Sequence, residues 1–367
     1  MTTAQPTTTR ERPARPVKGL GSGSRRARRA SSIALFVAAT GGLLVTIVAA
    51  TLFGTANIGP LDVISTILHH VGLDAIAPTE PLPKLLDALI WESRFPRVLL
   101  AGAVGIALTV SGTVLQSVTR NPLADPYLLG VSSGASTGAV AVLLLGIGGG
   151  SLSLSSGAFI GALVSFGVLL ALIGGGRVSN PARVVLTGVL VSQFFAAITS
   201  VILMVNGDAN STRGFTYWLL GSLAGARWEP LILTGSLILI GVVAIQFFAP
   251  ALDAFTFGWD SAAALGINVT AARVWLMILT AVITAAAVAA SGAIGFIGLL
   301  VPHAVRILAG PAHRVLLPLS ALVGAIFLIW VDTFARTAFA PNELPVGVIT
   351  ALLGAPAFAL VLRRVGS

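Results

Sequence analysis

Apolar stretches of about 17 to 25 residues recur along nearly the whole chain, and each is bounded by glycine, proline, asparagine or charge. As helices, stretches of this length match the hydrocarbon thickness of a bilayer, about 30 Å. The hydrophobic content of 56% and the charged content of 10% lie outside the range of soluble globular domains. The sequence therefore predicts an all-α integral membrane protein.

Hydropathy predicts about ten transmembrane helices. The predicted spans cover residues 33–53, 97–118, 126–147, 152–174, 182–206, 230–250, 271–292, 296–309, 315–338 and 346–362. The eighth span is short and contains Pro302, which predicts a tilted or partly inserted helix. We expect residues 31–367 to form one polytopic transmembrane domain.

The first 30 residues are rich in Thr, Pro, Ser and Arg and lack an apolar period, which predicts a disordered, basic cytoplasmic tail at residues 1–30. A signal peptide is the alternative, but the apolar run over 33–53 is longer than a usual h-region and no small-residue cleavage site follows it. Arginines concentrate on the side of this tail, and the positive-inside rule then predicts that both termini are cytoplasmic. The net charge of +9 comes largely from arginines at the span ends and in this tail, so it does not indicate a nucleic-acid site.

A shift of 180 positions aligns two parts of the chain. It places Ser111-Gly112 on Ser291-Gly292, and Pro122 on Pro302. The shift pairs the second predicted span with the seventh, so the two copies must cross the membrane in opposite directions. Inverted repeats are typical of transporters. Chance matching of common small residues is the alternative.

The sequence signals for an enzyme nucleophile and for metal ligands are both weak. The segment at 130–134 fits the G-x-S-x-G nucleophile elbow, so an intramembrane hydrolase using Ser132 is one alternative function, although the elbow requires a strand before the turn. The four histidines lack metal-ligand spacing, and the absence of cysteine excludes disulfides and thiolate sites. No metal site is predicted.

Several long motifs follow one another in a fixed order. They are R-F-P-R at 94–97, S-G-x-x-L-Q at 111–116, N-P-L-A-D-P-x-L-L-G-V-S-S-G at 121–134, W-L-L-G-S-L at 218–223, G-x-I-G-F-I-G-L-x-V-P-H-x-x-R at 292–306, H-R-x-L-L-P at 313–318, D-T-x-A-R at 332–336 and E-L-P-V-G-V-I-T-A-L-x-G-A-P at 343–356. In these motifs the chain resembles the permease subunits of FecCD-type ABC importers, which carry iron-siderophores, haem or cobalamin. The resemblance spans residues 60 to 364, approximately.

The resemblance implies the fold of a type II ABC importer permease, with ten transmembrane helices per subunit. It also implies four kinds of partner: a second permease subunit, identical or paralogous; two cytoplasmic ABC ATPases; an extracytoplasmic substrate-binding protein; and the lipid bilayer. No nucleic acid is expected.

The segment W-D-S-A-A-A-L-G at 259–266 predicts a short helix with Asp260 as its N-cap and Gly266 as its stop. In the family this position is the coupling helix that docks in a groove on the ATPase. The resemblance assigns that role to Asp260, Ser261, Ala262, Ala263, Ala264, Leu265 and Gly266. An ordinary interfacial turn is the alternative.

On the outer side, the resemblance implies that Arg94, Arg97 and Arg336 meet acidic residues of the binding protein, a pairing for which guanidinium groups are suited. The alternatives are headgroup anchoring for the first two and an i, i+4 pair with Asp332 for the third. The family places the pathway beside the fifth helix. By position alone, the pathway candidates are Gln193, Thr199, Ser200 and Met204, each of which could equally be a core residue.

The only lysines, Lys18 and Lys84, lie outside any G-x-x-x-x-G-K-[ST] phosphate loop, so we expect this chain to bind no cofactor and ATP with Mg²⁺ to bind the partner ATPase. Intramembrane acids are scarce, which disfavours a secondary transporter, the alternative from another class. The prediction is a non-enzymatic permease of the bacterial plasma membrane that imports ferric siderophores by alternating access. Cobalamin and haem remain alternative cargoes.

Overall fold

The structure is a computed structural model that describes residues 22–54, 56, 58–174 and 181–365. The described residues are helical and contain no strand. All ten predicted spans are present as apolar helices. They are α1 (Ser22–Leu52), α4 (Phe95–Val118), α5 (Val131–Leu145), α6 (Leu154–Ile173), α7 (Pro181–Asn206), α9 (Trp228–Phe247), α12 (Val269–Ser291), α13 (Ile297–Ala309), α14 (His313–Thr337) and α15 (Val346–Val365).

Five further helices connect the spans. They are α2 (Pro60–His70), α3 (Lys84–Ala88), α8 (Ala209–Leu219), α10 (Ala249–Thr256) and α11 (Trp259–Ala264). A π-helical turn over Leu89–Arg94 joins α3 to α4, so the apolar helix continues from Lys84 to Val118. The predicted start of this span at residue 97 is therefore too late.

Seven of the described helices are long and apolar enough to cross a membrane, and α5, α13 and α15 contribute shorter apolar helices. The short eighth span is confirmed, because α13 has 13 residues. The third span is wrong at its start. Asp125 accepts a bond from Tyr127 N at 2.9 Å and begins a 3-10 turn, Pro126–Leu129, and Gly130 then adopts φ 75°, so α5 begins only at Val131.

The first helix also begins earlier than predicted. Backbone helix extends from Ser22, so residues 22–30 do not belong to an irregular tail as expected, while residues 1–21 lie outside the described residues. Arginine and alanine dominate this segment, and both have high helix propensity. The apolar span that follows extends into them without a stop signal.

Helix α4 forms the centre of the bundle and packs against α9, α12, α13 and α14. In the most apolar 18-residue stretch of the continuous helix that contains α4, 83% of the residues are buried, whereas in that of α1 only 11% are buried. Glycine allows the close contact of α4 with α13, because a Cβ at Gly112 would overlap the backbone of Gly298. Gln116 Nε2 donates to Gly298 O at 3.1 Å beside it.

The predicted opposite directions of the two repeats are confirmed. Helix α4 ends at the face where Ser117 contacts His313, and His313 contacts Asp253 of α10. Helix α12 begins at that same face, since only α11 separates it from α10. Local structure differs between the copies, because Pro122 lies in a turn and Pro302 lies inside α13. We call the face that contains Arg120, Arg306 and Arg314 the basic face, and the other end the outer face.

Candidate functional site

The predicted coupling residues form an exposed protrusion on the basic face. Ser261, Ala263, Ala264 and Gly266 are exposed, Leu265 is 73% exposed, and Ala262 is buried. The predicted stop at Gly266 is confirmed by its φ of 82°. The predicted N-cap is wrong: Gly258 holds that position, and Asp260 lies in the first turn, where its charge favours the helix N-terminus.

The protrusion is attached firmly to the bundle. The guanidinium carbon of Arg273 lies 4.0 Å from the centroid of the Trp259 ring, a cation–π contact that joins α11 to α12. Asn268 caps α12 by accepting from Ala271 N at 3.0 Å. In α10, Leu252 and Phe255 are fully buried. The exposed surface of α11 is therefore held by short, packed connections on both sides.

A chain of three polar side chains links α10 to two spans. Asp253 Oδ1 accepts from both His313 N at 2.8 Å and His313 Nδ1 at 2.7 Å, and His313 Nε2 lies 2.7 Å from Ser117 Oγ. The three residues belong to α10, α14 and α4 respectively. We call this set the basic-face clamp. Sequence reasoning missed it, although the H-R-x-L-L-P motif contains His313 and was the available signal.

A cavity of about 360 Å³, lined mostly by residues with polar side chains, lies beside the clamp. Arg120, Arg306, His313 and Ser117 are among its lining residues. Arg306 Nη2 donates to Gln116 Oε1 at 3.3 Å, which orients this guanidinium along α4. Arg120 has φ 51°, an uncommon conformation for a residue with a Cβ, so the turn after α4 is unusually tight.

On the outer face, Arg97 is the centre of a buried ionic cluster. Its Nε and Nη2 bind Asp332 at 2.9 to 3.1 Å, and its Nη1 binds Glu343 at 2.9 and 3.2 Å. Asp332 is 1% exposed. The Glu343 side chain is 38% exposed and closes the cluster toward solvent. Sequence reasoning considered Asp332 as an i, i+4 partner of Arg336 and did not single out Glu343.

The other two predicted docking arginines also have partners within the chain. Arg94 Nη1 donates to Thr51 O and Leu52 O, and Arg336 Nη2 donates to Ala50 O, so both hold the end of α1. Arg336 Nε lies 3.9 Å from Asp332 Oδ2, which is the i, i+4 pair considered as the alternative. Burial of Arg94 and Arg97 does not fit headgroup anchoring. A docking role for the three arginines stays a prediction.

The four pathway candidates separate into two groups on α7. Gln193, Ser200 and Met204 are exposed and share one helical face, and Met204 is 91% exposed. Thr199 lies on another face, where its Oγ1 contacts Thr137 Oγ1 at 2.8 Å and donates to Phe195 O. The Thr199 hydroxyl is buried between α5 and α7, which fits the core alternative for this residue, and a pathway role for the four residues stays a prediction.

A break between α12 and α13 lies next to an open cavity of about 410 Å³, which is lined by residues of α8, α15 and this break. Tyr127 from the first repeat stabilises the break. Ile294 N donates to Tyr127 Oη at 2.7 Å, and Tyr127 Oη donates to Ile294 O at 3.0 Å. Ile294 is almost fully buried, and its N–H and C=O groups need such partners because they lie outside a regular helix. The sequence offered only the repeat as a signal for this contact.

The geometry around Ser132 does not match the nucleophile elbow. A 3-10 turn precedes Gly130, and Ser132 lies in the first turn of α5. The elbow requires a strand before the nucleophile. Among the residues that the structure describes, no group of three or more His, Asp or Glu side chains is arranged to hold a metal ion.

Comparison with known proteins identifies the family. The sequence profile of the FecCD transport family matches residues 42–364. The chain is 41% identical over 332 residues to the hemin transport system permease protein HmuU of Yersinia pestis, covering 88% of this chain and 95% of that protein. It is 40% identical over 288 residues to the cobalamin import system permease protein BtuC of Halobacterium salinarum, covering 77% and 75%.

Among solved structures, an inward-facing conformation of a putative metal-chelate type ABC transporter matches with a TM-score of 0.77 at 27% identity, covering 90% of this chain and 98% of that chain. The many apolar helices described above are those of a multi-pass membrane protein. The chain belongs to the FecCD transport family and is a permease of the ABC importer class.

Proposed function

We propose that this permease imports ferric siderophores across the bacterial plasma membrane, with the basic face and both termini in the cytoplasm. The likeness to a metal-chelate type transporter supports a chelated metal as cargo. Relatives named for hemin and cobalamin make those ligands the alternative cargoes. The observation that carries the transport role is the exposed α11 protrusion, joined through the basic-face clamp to α4 and α14.

Energy for transport would enter at this protrusion. The chain contains no G-x-x-x-x-G-K-[ST] motif, so in this proposal ATP and Mg²⁺ bind two partner ATPases and the permease itself catalyses no reaction. Residues Asp260 to Gly266 would dock in a groove of the ATPase. The small exposed side chains of α11 favour close approach of a partner surface. The Arg273–Trp259 contact holds α11 against α12, so a force on α11 would be passed to the bundle.

The cargo would move along an axis between two permease subunits, identical or paralogous. The exposed face of α7 with Gln193, Ser200 and Met204 would border this axis. Its few polar groups and absence of charge suit a bulky chelate that passes without tight binding. ATPase closure would change the tilt of α4 and α14 and so alternate the access of this axis.

The outer face would receive the substrate-binding protein. Its arginine cluster contains Arg94, Arg97 and Arg336 against Asp332 and Glu343, which leaves a net charge of about +1 and attracts acidic groups of a partner. Glu343 is the exposed member of the cluster, so an acidic partner residue would compete with it for Arg97. Charge reversal at Arg97 should therefore weaken capture of the loaded binding protein, most strongly at low salt.

Reconstituted transport tests the proposal. Proteoliposomes with permease, ATPase and binding protein should accumulate labelled ferric siderophore only when ATP is present. Ala263→Arg should abolish uptake and leave membrane insertion intact, because the exposed face of α11 no longer fits its groove. Ala263→Ser, which keeps a small side chain at the same exposed position, is the matched control and should keep ATP-dependent uptake.

Two results would contradict the proposal in different ways. Uptake of hemin or cobalamin in place of the siderophore would change the cargo and leave the mechanism. Accumulation without ATPase subunits would identify a secondary transporter and reject the mechanism itself.

A further inference from the structure

A long apolar groove lies on the side of the bundle away from α7. Helices α1 and α9 form its walls, and α4 and α14 form its floor. Its volume is about 460 Å³, and every residue that lines it is apolar or glycine. An engineered cavity of about 150 Å³ holds one benzene ring, so this groove has room for roughly 18 carbon atoms. That is the size of one lipid acyl chain.

Small residues keep the groove open. The floor includes Gly102 and Ala103 of α4 and Ala321 and Ala325 of α14. Larger side chains at these positions would fill the space between α1 and α9. Instead Phe36 of α1 and Leu239 of α9 stand on opposite walls, and Leu239 is 65% exposed.

The two ends of the groove differ. Toward the outer face it ends at Ile47, Val98 and Ile329, beyond which Arg94 donates to the carbonyl groups at the end of α1. At that end the Arg94 Nη1 group is already bonded to the backbone of α1. A cation without a salt-bridge partner for a polar head is therefore sought at the basic face.

Hydrogen-bond donors line the entrance at the basic face. Arg314 precedes the groove residue Pro318 by four residues, so both lie on one face of α14, and Arg314 is exposed. Arg314 forms none of the salt bridges found among the described residues. Gln246 follows the groove residue Val242 by four residues on α9.

The entrance has a defined shape because of Pro318. Proline cannot donate to the carbonyl four residues earlier, so Arg314 O is free of its helical bond. Gln246 Nε2 donates to that carbonyl at 3.3 Å and ties α9 to α14 at the entrance.

We propose that this groove binds one anionic phospholipid of the leaflet at the basic face, with an acyl chain along α4 and α14 and the phosphate at Arg314. An all-apolar lining excludes a polar metal chelate and ordered water. Basic residues at the membrane end of an interhelical pocket favour anionic headgroups. The bound chain fills the space between α1 and α9 and so stabilises α1, the least buried span.

Lipid binding to the purified permease tests this site by native mass spectrometry in detergent. The probes are phosphatidylglycerol and phosphatidylcholine with the same acyl chains. The wild type should hold one phosphatidylglycerol per chain and prefer it about fivefold over phosphatidylcholine. Arg314→Gln should remove this preference and leave phosphatidylcholine binding unchanged, whereas Ala103→Phe should abolish binding of both lipids.

Matched controls separate the groove from the general lipid surface. Arg363→Gln changes an exposed arginine of the basic face outside the groove, and Val168→Phe enlarges an exposed residue of α6. Both should bind lipid like the wild type. Equal loss of the preference in Arg363→Gln and Arg314→Gln would overturn the proposal.

A second variant blocks the groove only after folding. The chain has no cysteine, so Leu239→Cys provides a single thiol on the groove wall. A bulky maleimide on this thiol should displace the phosphatidylglycerol, while the same label on Leu172→Cys of α6 should not. Retention of the lipid after Leu239→Cys labelling would reject the site. Disulfide-linked dimers through Leu239→Cys in membranes would also reject it, because a second copy would then cover the groove.

Discussion

Tyr127→Phe tests how the break between α12 and α13 is stabilised. The substitution keeps the ring and removes one hydroxyl. That hydroxyl accepts from Ile294 N at 2.7 Å and donates to Ile294 O at 3.0 Å, and Ile294 is almost fully buried. The variant therefore leaves one N–H and one C=O group without a partner.

Each buried polar group that loses its partner costs about 1–3 kcal/mol, so Tyr127→Phe should lower the free energy of unfolding by about 2–6 kcal/mol. The only other tyrosine provides the matched control. Tyr217 lies on the exposed side of α8 and donates one 3.3 Å bond to Glu343 O. Because water can replace that bond, Tyr217→Phe should cost less than about 1 kcal/mol.

Unfolding in mixed micelles with increasing denaturing detergent measures both variants under the same conditions. ATP-dependent uptake should fall in Tyr127→Phe, since Ala293 of the break lines the cavity next to α8 and α15. Equal stability losses in the two variants, within about 0.5 kcal/mol, would refute the reasoning. The break would then be held by packing alone.

Two further predictions concern the outer face. Asp332→Asn should destabilise the protein by about 3–5 kcal/mol, because it breaks a buried ion pair with Arg97. Glu343→Gln, at the exposed end of the same cluster, should cost less than about 1 kcal/mol. The same micelle unfolding measures the difference, and equal costs would contradict the burial argument. His69 contacts a carboxylate through Nδ1, 2.6 Å from Asp74, and a carbonyl through Nε2, so the hydrogen bond to Asp74 raises the pKa of His69 above 6.5. This contribution to stability is present below pH 6.5 and is lost as pH rises through the folded-state pKa, so histidine NMR should show a midpoint above 6.5 that Asp74→Asn lowers, and a wild-type midpoint below 6.5 would exclude the pairing.

Hydropathy predicted the spans well because lipid imposes one strong constraint on length and polarity. It failed where the backbone leaves the regular helix. The start of α5 depends on the Asp125 turn and on Gly130, and the start of α4 depends on a π-helical turn. Such local features carry little hydropathy signal, so only the structure defines them.

The candidate sites were predictable to different degrees. The protrusion at α11 could be placed because Gly266 follows a short run of good helix formers, and glycine after such a run commonly ends a helix. The role of Arg97 could not be derived, since its partner Asp332 is 235 residues away in the chain. On α7, helical spacing separates Thr199 from Ser200, but the sequence alone does not indicate which of the two faces is buried.

The basic-face clamp determines which helices would move together if α10 were displaced. Asp253 holds both the backbone and the ring of His313, and His313 holds Ser117, so α10 cannot shift without moving the beginning of α14 and the end of α4 together. The far ends of those two helices are joined by Arg97 and Asp332. Because α4 and α14 are joined at both ends, we expect them to move as one rigid body. In the proposed mechanism, a displacement delivered at the basic face would therefore reach the outer face as a rigid tilt of both helices.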